Sequence, residues 1–272
     1  MSNDFPIPRF GPGSQSEPDG AALDYLEMPA DMRTYAPHVP MIEATDTVAP
    51  AMALMAEIAE AARRSAAGAP PAIFDLLPLD TQNRRLIAET MGEGEVAMKL
   101  RGLPALSVQE SVFAGIWGVT GAGIDRIEIG HVPEAAHIRA FVPTVARRDL
   151  PLRDGVVNAP ALLAELEGKS EGFSGNLHVI NLSLLPHTEE DLVWLDQRLG
   201  HGSTDILSRG YGNCRVRATT LPFVWRVQFF NAMDTLILDT FEVTAMPEVA
   251  LAAAEDLAES GARLLDVLEA MR

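Results

Sequence analysis

Apolar residues recur in two rhythms along the chain. From Ala49 to Ala67 they fall at helical spacing, with Met52, Met55, Ile58 and Ala62 on one side, and Gly68-Ala69-Pro70-Pro71 ends the segment. The methionines read as core packing rather than as a cofactor box. Ile73-Phe74-Asp75-Leu76-Leu77 predicts a short buried strand. Asp80 is placed to cap a helix running to about Met91, and Gly92 stands where a left-handed C-cap residue belongs. Then Val96–Leu100, Ser107–Val112, Phe113–Val119 and Ile124–Gly130 read as strands, with Thr120-Gly121-Ala122-Gly123 as the hairpin loop between the last two. A further helical stretch follows Pro133 and is interrupted by Pro143. The chain closes on a predicted long helix, Pro247 to Met271, with Leu251, Leu257, Leu264, Leu265 and Leu268 on one side and acids on the other.

The pattern repeats. A shift of 108 residues lays Leu76-Leu77-Pro78 on Leu184-Leu185-Pro186, Gly92 and Gly94 on Gly200 and Gly202, Arg101-Gly102 on Arg209-Gly210, and Trp117 on Trp225. Fifteen identities fall in the 69 positions from 51 to 119, where average composition gives about four or five. Beyond position 119 a gap of six is needed before Val132-Pro133-Glu134 meets Met246-Pro247-Glu248, so the second copy has a longer final hairpin, around Gln228–Asp234. The period is too long for a solenoid. The fold class predicted is α+β: an internal duplication of a helix–strand–helix–antiparallel-strands unit, its two halves packed with pseudo-two-fold symmetry. The expected organisation is an extended N-terminal arm over 1–47, a first repeat over 48–150, and a second repeat with the C-terminal helix over 151–272.

Within the second copy, Thr188 and the three acids after it predict a capped helix whose first turn opposes the dipole, with Leu192, Leu195 and Leu199 as its buried stripe. The stretch Ser208 to Arg215 reads as a tight loop between strands. It gathers Arg209, Arg215 and Arg217 in an otherwise acidic chain. Two readings stay open for it: a contact loop for a partner or an anion, or a turn whose arginines balance nearby acids.

The charge is −17, from 38 Asp plus Glu against 21 Lys plus Arg. That sign disfavours phosphate backbones and anionic lipid and favours basic partners. No apolar run approaches the ~20 residues that span a bilayer, and the start carries no secretory signal, so a cytoplasmic, soluble protein is expected. One cysteine, Cys214, excludes an intramolecular disulfide, a CxxC pair and a multi-cysteine metal site. Six histidines show no HxH or HExxH spacing. No nucleophile elbow, phosphate loop or dinucleotide fingerprint is present. No cofactor, metal or catalytic set is expected. Cys214 itself is read as a buried small hydrophobe, with a nucleophile as the competing assignment.

Several phrases carry a resemblance: Phe10-Gly11-Pro12-Gly13-Ser14-Gln15, Gly92-Glu93-Gly94-Glu95-Val96, Gln109-Glu110-Ser111-Val112-Phe113-Ala114-Gly115, Ser208-Arg209-Gly210-Tyr211-Gly212-Asn213-Cys214-Arg215 and Asp234-Thr235-Leu236-Ile237-Leu238. Together they resemble the HupH/HyaF/HoxQ family of hydrogenase expression, or maturation, proteins, over nearly the whole chain. The resemblance implies a non-enzymatic accessory chaperone. Its client would be the iron–sulfur small-subunit precursor of an uptake [NiFe]-hydrogenase, bound by its chaperone before export through a basic twin-arginine signal. A thioredoxin-like accessory protein is the second implied partner, and a homodimer is compatible with it. No catalytic residues carry over. The candidate partner-binding residues are Glu93, Glu95, Gln109, Glu110, Arg209, Tyr211, Asn213, Cys214 and Arg215. Competing functions are a thiol-redox or cluster-protection factor acting through Cys214, and a purely structural adaptor in a maturation complex.

Overall fold

The computed structural model describes residues 46–210 and 212–271. The first half runs α1 (Ala49–Ala66), β1 (Ala72–Asp75), α2 (Thr81–Met91), β2 (Val96–Leu100), β3 (Leu106–Glu110), β4 (Ile116–Gly121), β5 (Ile124–Ile129) and a short α3 (Glu134–Ile138). The second runs α4 (Ala159–Glu171), β6 (His178–Asn181), α5 (Glu189–Leu199), β7 (Thr204–Ser208), β8 (Asn213–Ala218), β9 (Val224–Phe230), β10 (Leu236–Val243) and α6 (Ala254–Ala270). The strands form one antiparallel sheet in the order β1-β5-β4-β3-β2-β7-β8-β9-β10-β6. Read from the middle outward, the two halves of that order are the same series. The predicted α+β duplication with two-fold symmetry is what the chain adopts, and the halves are fused through a shared sheet.

The join is β2 on β7, with Val96 opposite Ser208, Met98 opposite Ile206 and Leu100 opposite Thr204. Met98 and Ile206 are equivalent positions under the 108-residue shift, so the pseudo-two-fold axis passes between them. Each half therefore supplies the same strand to the other, as in an isologous dimer interface.

Equivalent residues do equivalent work in both halves. Gly92 and Gly200 end α2 and α5 with φ of 57° and 64°, a backbone that glycine adopts without steric cost. Gly94 and Gly202 donate backbone N–H groups to Glu110 O and Ala218 O at 2.7 and 2.8 Å. A Cβ at either would collide with backbone carbonyls. The indole N–H of Trp117 donates to Gly130 O at 2.8 Å, and that of Trp225 to Thr244 O at 3.1 Å. Both tryptophans are fully buried.

The helix caps show one exchange. Asp80 caps α2 by accepting from Asn83 N, and Asn83 Oδ1 accepts from Ala51 N at 2.9 Å. In the second half Thr188 caps α5 in a capping box with Asp191, and Asp191 Oδ1 accepts from Val157 N, Asn158 N and Ala159 N. Each half thus holds one carboxylate in this corner, at the cap in one and three residues later in the other. Burial works against the charge of Asp191, but those amides and Thr188 N outweigh it and hold the carboxyl below its ordinary value.

The core lies in three clusters. One sits under α1, α2 and α6 at the β1-β5-β4 end, and one under α4 and α5 at the β10-β6 end. The third covers the opposite face of the central strands, where Met98, Val108, Ile206, Val216 and both tryptophans pack against α3 and residues 246–252.

Three expectations are corrected. The last helix begins at Ala254, not Pro247: a single tight turn spans Glu248–Ala250, after which Ala252 N donates to His131 O and Ala252 O bonds His131 Nδ1 at 2.7 Å. That backbone is committed across to the end of β5 and cannot continue a helix, and Leu251 is left 40% exposed. The strand expected from Phe113 starts at Ile116, because Phe113–Gly115 forms a turn with Gly115 at φ 78°. The loop expected over Ser208–Arg215 is shorter, since β7 runs to Ser208 and β8 begins at Asn213.

The duplication is broken where α6 lands. It returns to pack on α1 of the first half, and its Leu257 lies against Gly115. The position equivalent to Gly115 is Phe223, which holds a φ of 65° and stacks on Phe173 with ring centroids 4.3 Å apart. An aromatic ring in a strained conformation fills in the second half the place that α6 takes in the first.

Candidate partner-binding surface

The helices cover the two ends of one sheet face and leave its centre open. Strand alternation decides what stands there. Lys99, Asp205, Arg217 and Arg226 lie side by side across β2, β7, β8 and β9, and beside them runs a second row of Gln109, Ala97, Leu207, Arg215 and Gln228. These rows line a groove of about 590 Å³ together with Arg101 and Arg209.

Its arginines are held by acids at the edges. Arg226 forks onto Asp239 with Nε–Oδ1 of 3.0 Å and Nη2–Oδ2 of 2.7 Å, and Gln228 Nε2 donates to the same carboxylate at 3.1 Å. Burial opposes the Arg226 charge, but Asp239 and the nearby Asp196 raise its pKa above the ordinary value. Arg217 and Arg101 share Asp205. Arg215 pairs with Asp234 at 2.8 Å and lies 4.3 Å over the Phe230 ring. Gln109 spends its amide on Gly94 O and Glu110 O at 3.2 and 3.0 Å, pinning the entry to β2.

The β9–β10 hairpin rises at one side of this groove. Asn231 Oδ1 accepts from Met233 N and Thr235 N and shapes the tip, and Asp234 takes φ 57°. The tip leaves Met233 83% and Ile237 60% exposed, with Leu236 beside them. Strand β6 pairs only with Thr240–Val243, so among the described residues the outer edge of Leu236–Leu238 carries no strand. Exposed apolar groups on an open strand edge suit polypeptide binding.

The candidate residues divide between the faces. Gln109, Arg209 and Arg215 line the groove, Glu95 stands at its rim against Gly210, and Glu93 and Asn213 are exposed nearby. Glu110 and Cys214 project to the opposite, buried face and offer nothing to a partner. Glu110 accepts from Gly115 N at 3.2 Å, and burial raises its pKa. Burial pushes the Cys214 thiol up to about 12, with Glu242 adding to the effect. Tyr211 and the Phe10–Gln15 phrase lie outside the described residues. Sequence reasoning missed Lys99, Arg101, Arg226 and Gln228 as members of this surface. The Arg215-Val216-Arg217 alternation was the available signal for Arg217. Lys99 and Arg226 join only through strand order. Among the described residues no group of three or more His, Cys, Asp or Glu is placed to hold a metal ion, and no helix is long and apolar enough to cross a membrane.

The chain is a duplicated α+β fold with an open central sheet face and an exposed hairpin. The family model for the HupH hydrogenase expression protein, C-terminal conserved region, matches residues 48–141 and 156–271. The chain is 60% identical to the hydrogenase expression/formation protein HupH of Rhodobacter capsulatus over 277 residues, covering 100% of each chain. It is 42% identical to the hydrogenase expression/formation protein HoxQ of Cupriavidus necator over 98% of each, and 30% identical to the hydrogenase-1 operon protein HyaF of Escherichia coli (strain K12) over 96% of this chain and 94% of that one. The chain belongs to the HupH family of hydrogenase expression proteins.

Proposed function

We propose that the protein acts in the cytoplasm as an accessory chaperone in hydrogenase maturation, binding the iron–sulfur small-subunit precursor of an uptake [NiFe]-hydrogenase before export. The observation that supports this reading most is the exposed hairpin tip, Met233, Leu236 and Ile237, beside a wide open sheet face in a chain of the hydrogenase expression family. Such a surface serves to hold a polypeptide. The net charge of −17 favours encounter with a basic signal segment. A thioredoxin-like accessory protein is the second partner in this proposal, and a homodimer remains compatible with it.

Binding rather than catalysis is also favoured by Cys214. The thiolate is the reactive form, and a thiol buried among apolar residues with its pKa raised to about 12 is poorly suited to exchange. Affinity isolation of the tagged full chain from cells making the hydrogenase tests the proposal. The precursor, with its signal attached, should co-purify from the wild type and be lost with Met233→Asp/Ile237→Asp. Recovery of no small-subunit precursor from cells that accumulate it would count against the chaperone role.

A further inference from the structure

The groove is lined by the same structural positions of both halves, filled differently. Ala97 corresponds to Asp205, Ser107 to Arg215 and Gln109 to Arg217, and Gly118, opposite Gln109 on β4 and outside the groove lining, to Arg226. At these positions the first half carries short or neutral side chains and the second, Asp205 aside, carries arginines, while Lys99 and Arg101 of the first half stand among them. A wall of guanidinium groups therefore faces space that small residues leave clear.

The charge there runs against the rest of the chain. Lys99, Arg101, Arg209, Arg215, Arg217 and Arg226 line the groove with one acid, Asp205. Composition alone would put about one cation and two acids among the 16 lining residues. Asp205 is shared between Arg101 and Arg217. Arg217 and Arg226 stand directly opposite each other on neighbouring strands, an arrangement that like charges disfavour. Lys99 and Arg209 form no ion pair among the described residues. The site carries more positive charge than its own carboxylates balance.

We propose that this groove binds an acidic, extended segment of a partner polypeptide, with carboxylates on Arg215 and Arg217 and the backbone over Ala97 and Ser107. Guanidinium and carboxylate match as planar, bidentate partners. The volume falls in the range of sites that enclose a small ligand or a short stretch of chain. A nucleic acid is a poorer fit. Its phosphates, one per ~1.7 Å of duplex axis, would run off this cationic island onto a surface of net negative charge. The inference goes beyond the choice of client, because it concerns the chemistry of the segment and holds whichever partner carries it.

Fluorescence anisotropy of the full chain with a labelled decaglutamate peptide tests it, alongside a Gly-Ser decapeptide and a ten-nucleotide oligothymidine. Decaglutamate should bind, at least tenfold more tightly than the Gly-Ser peptide, and weaken as salt is raised from 50 to 300 mM. Arg217→Gln should weaken binding at least fivefold, and Lys99→Gln, whose side chain pairs with no carboxylate in the described chain, provides a second variant that should fold normally. Lys169→Gln on the exposed side of α4 should leave binding unchanged. Equal binding of the Gly-Ser peptide, indifference to both groove variants, or tighter binding of the oligonucleotide would overturn the proposal.

Discussion

Met98 on β2 and Ile206 on β7 stand directly opposite each other at the centre of the sheet, and they are the same position of the repeat. Both are buried in the cluster that spans the join. Truncating either to Ala should cost about 2–5 kcal/mol. The double variant should depart from additivity by about 0.5–3 kcal/mol, because the side chains share one core. Urea unfolding of the four proteins measures both quantities. Full additivity would mean that the join is not a packed unit.

Asp191 holds the α4 entry more strongly when ionised. Its carboxyl sits below the ordinary 3.8 in the folded chain, so its contribution is present above that pH and is lost as pH falls through the folded value. Asp191→Asn should destabilise by about 1–3 kcal/mol near pH 7, and the difference from wild type should shrink below pH 4. Thermal melts across that range decide it.

Glu110 has the opposite sign. Burial raises its pKa above 4.5, so its contribution is full below that pH and is lost as pH rises through the folded value. Glu110→Gln keeps an acceptor for Gly115 N and removes the buried charge. It should raise stability at pH 7 and change little at pH 4. A variant less stable than wild type at pH 7 would show that the ionised form is the one the fold needs.

Cys214 should behave as core. Iodoacetamide at pH 8 should modify it at least a hundredfold more slowly in the folded chain than in urea, following its burial and a pKa raised to about 12. Equal rates would restore the thiol-chemistry reading.

Much of this architecture is written locally. Asp80, Gly92, Thr188 and Gly200 mark the ends of α2 and α5 because capping depends on residues within one turn. The glycines of the Gly92–Val96 phrase recur as Gly200 and Gly202 because the same close backbone approach is needed twice. The break before α6 was not legible, since His131 supplies it from 121 residues away. The groove was half legible. Arg209 and Arg215 were visible as a local cluster, but Lys99 and Arg226 join them only because β2 pairs with β7 across the two-fold axis and β9 follows β8. The two phrases containing Glu110 and Cys214 both looked like contact motifs, and strand alternation sends those two side chains inward.

The central claim is that this surface holds the small-subunit precursor. Titrating the purified full chain with purified precursor, followed by calorimetry, tests it most directly. The account predicts a saturable complex that Met233→Asp/Ile237→Asp weakens at least tenfold, while the thermal midpoint of the free variant stays within about 2 °C of wild type. Absence of a complex at micromolar concentrations, or a complex indifferent to the hairpin, would contradict it.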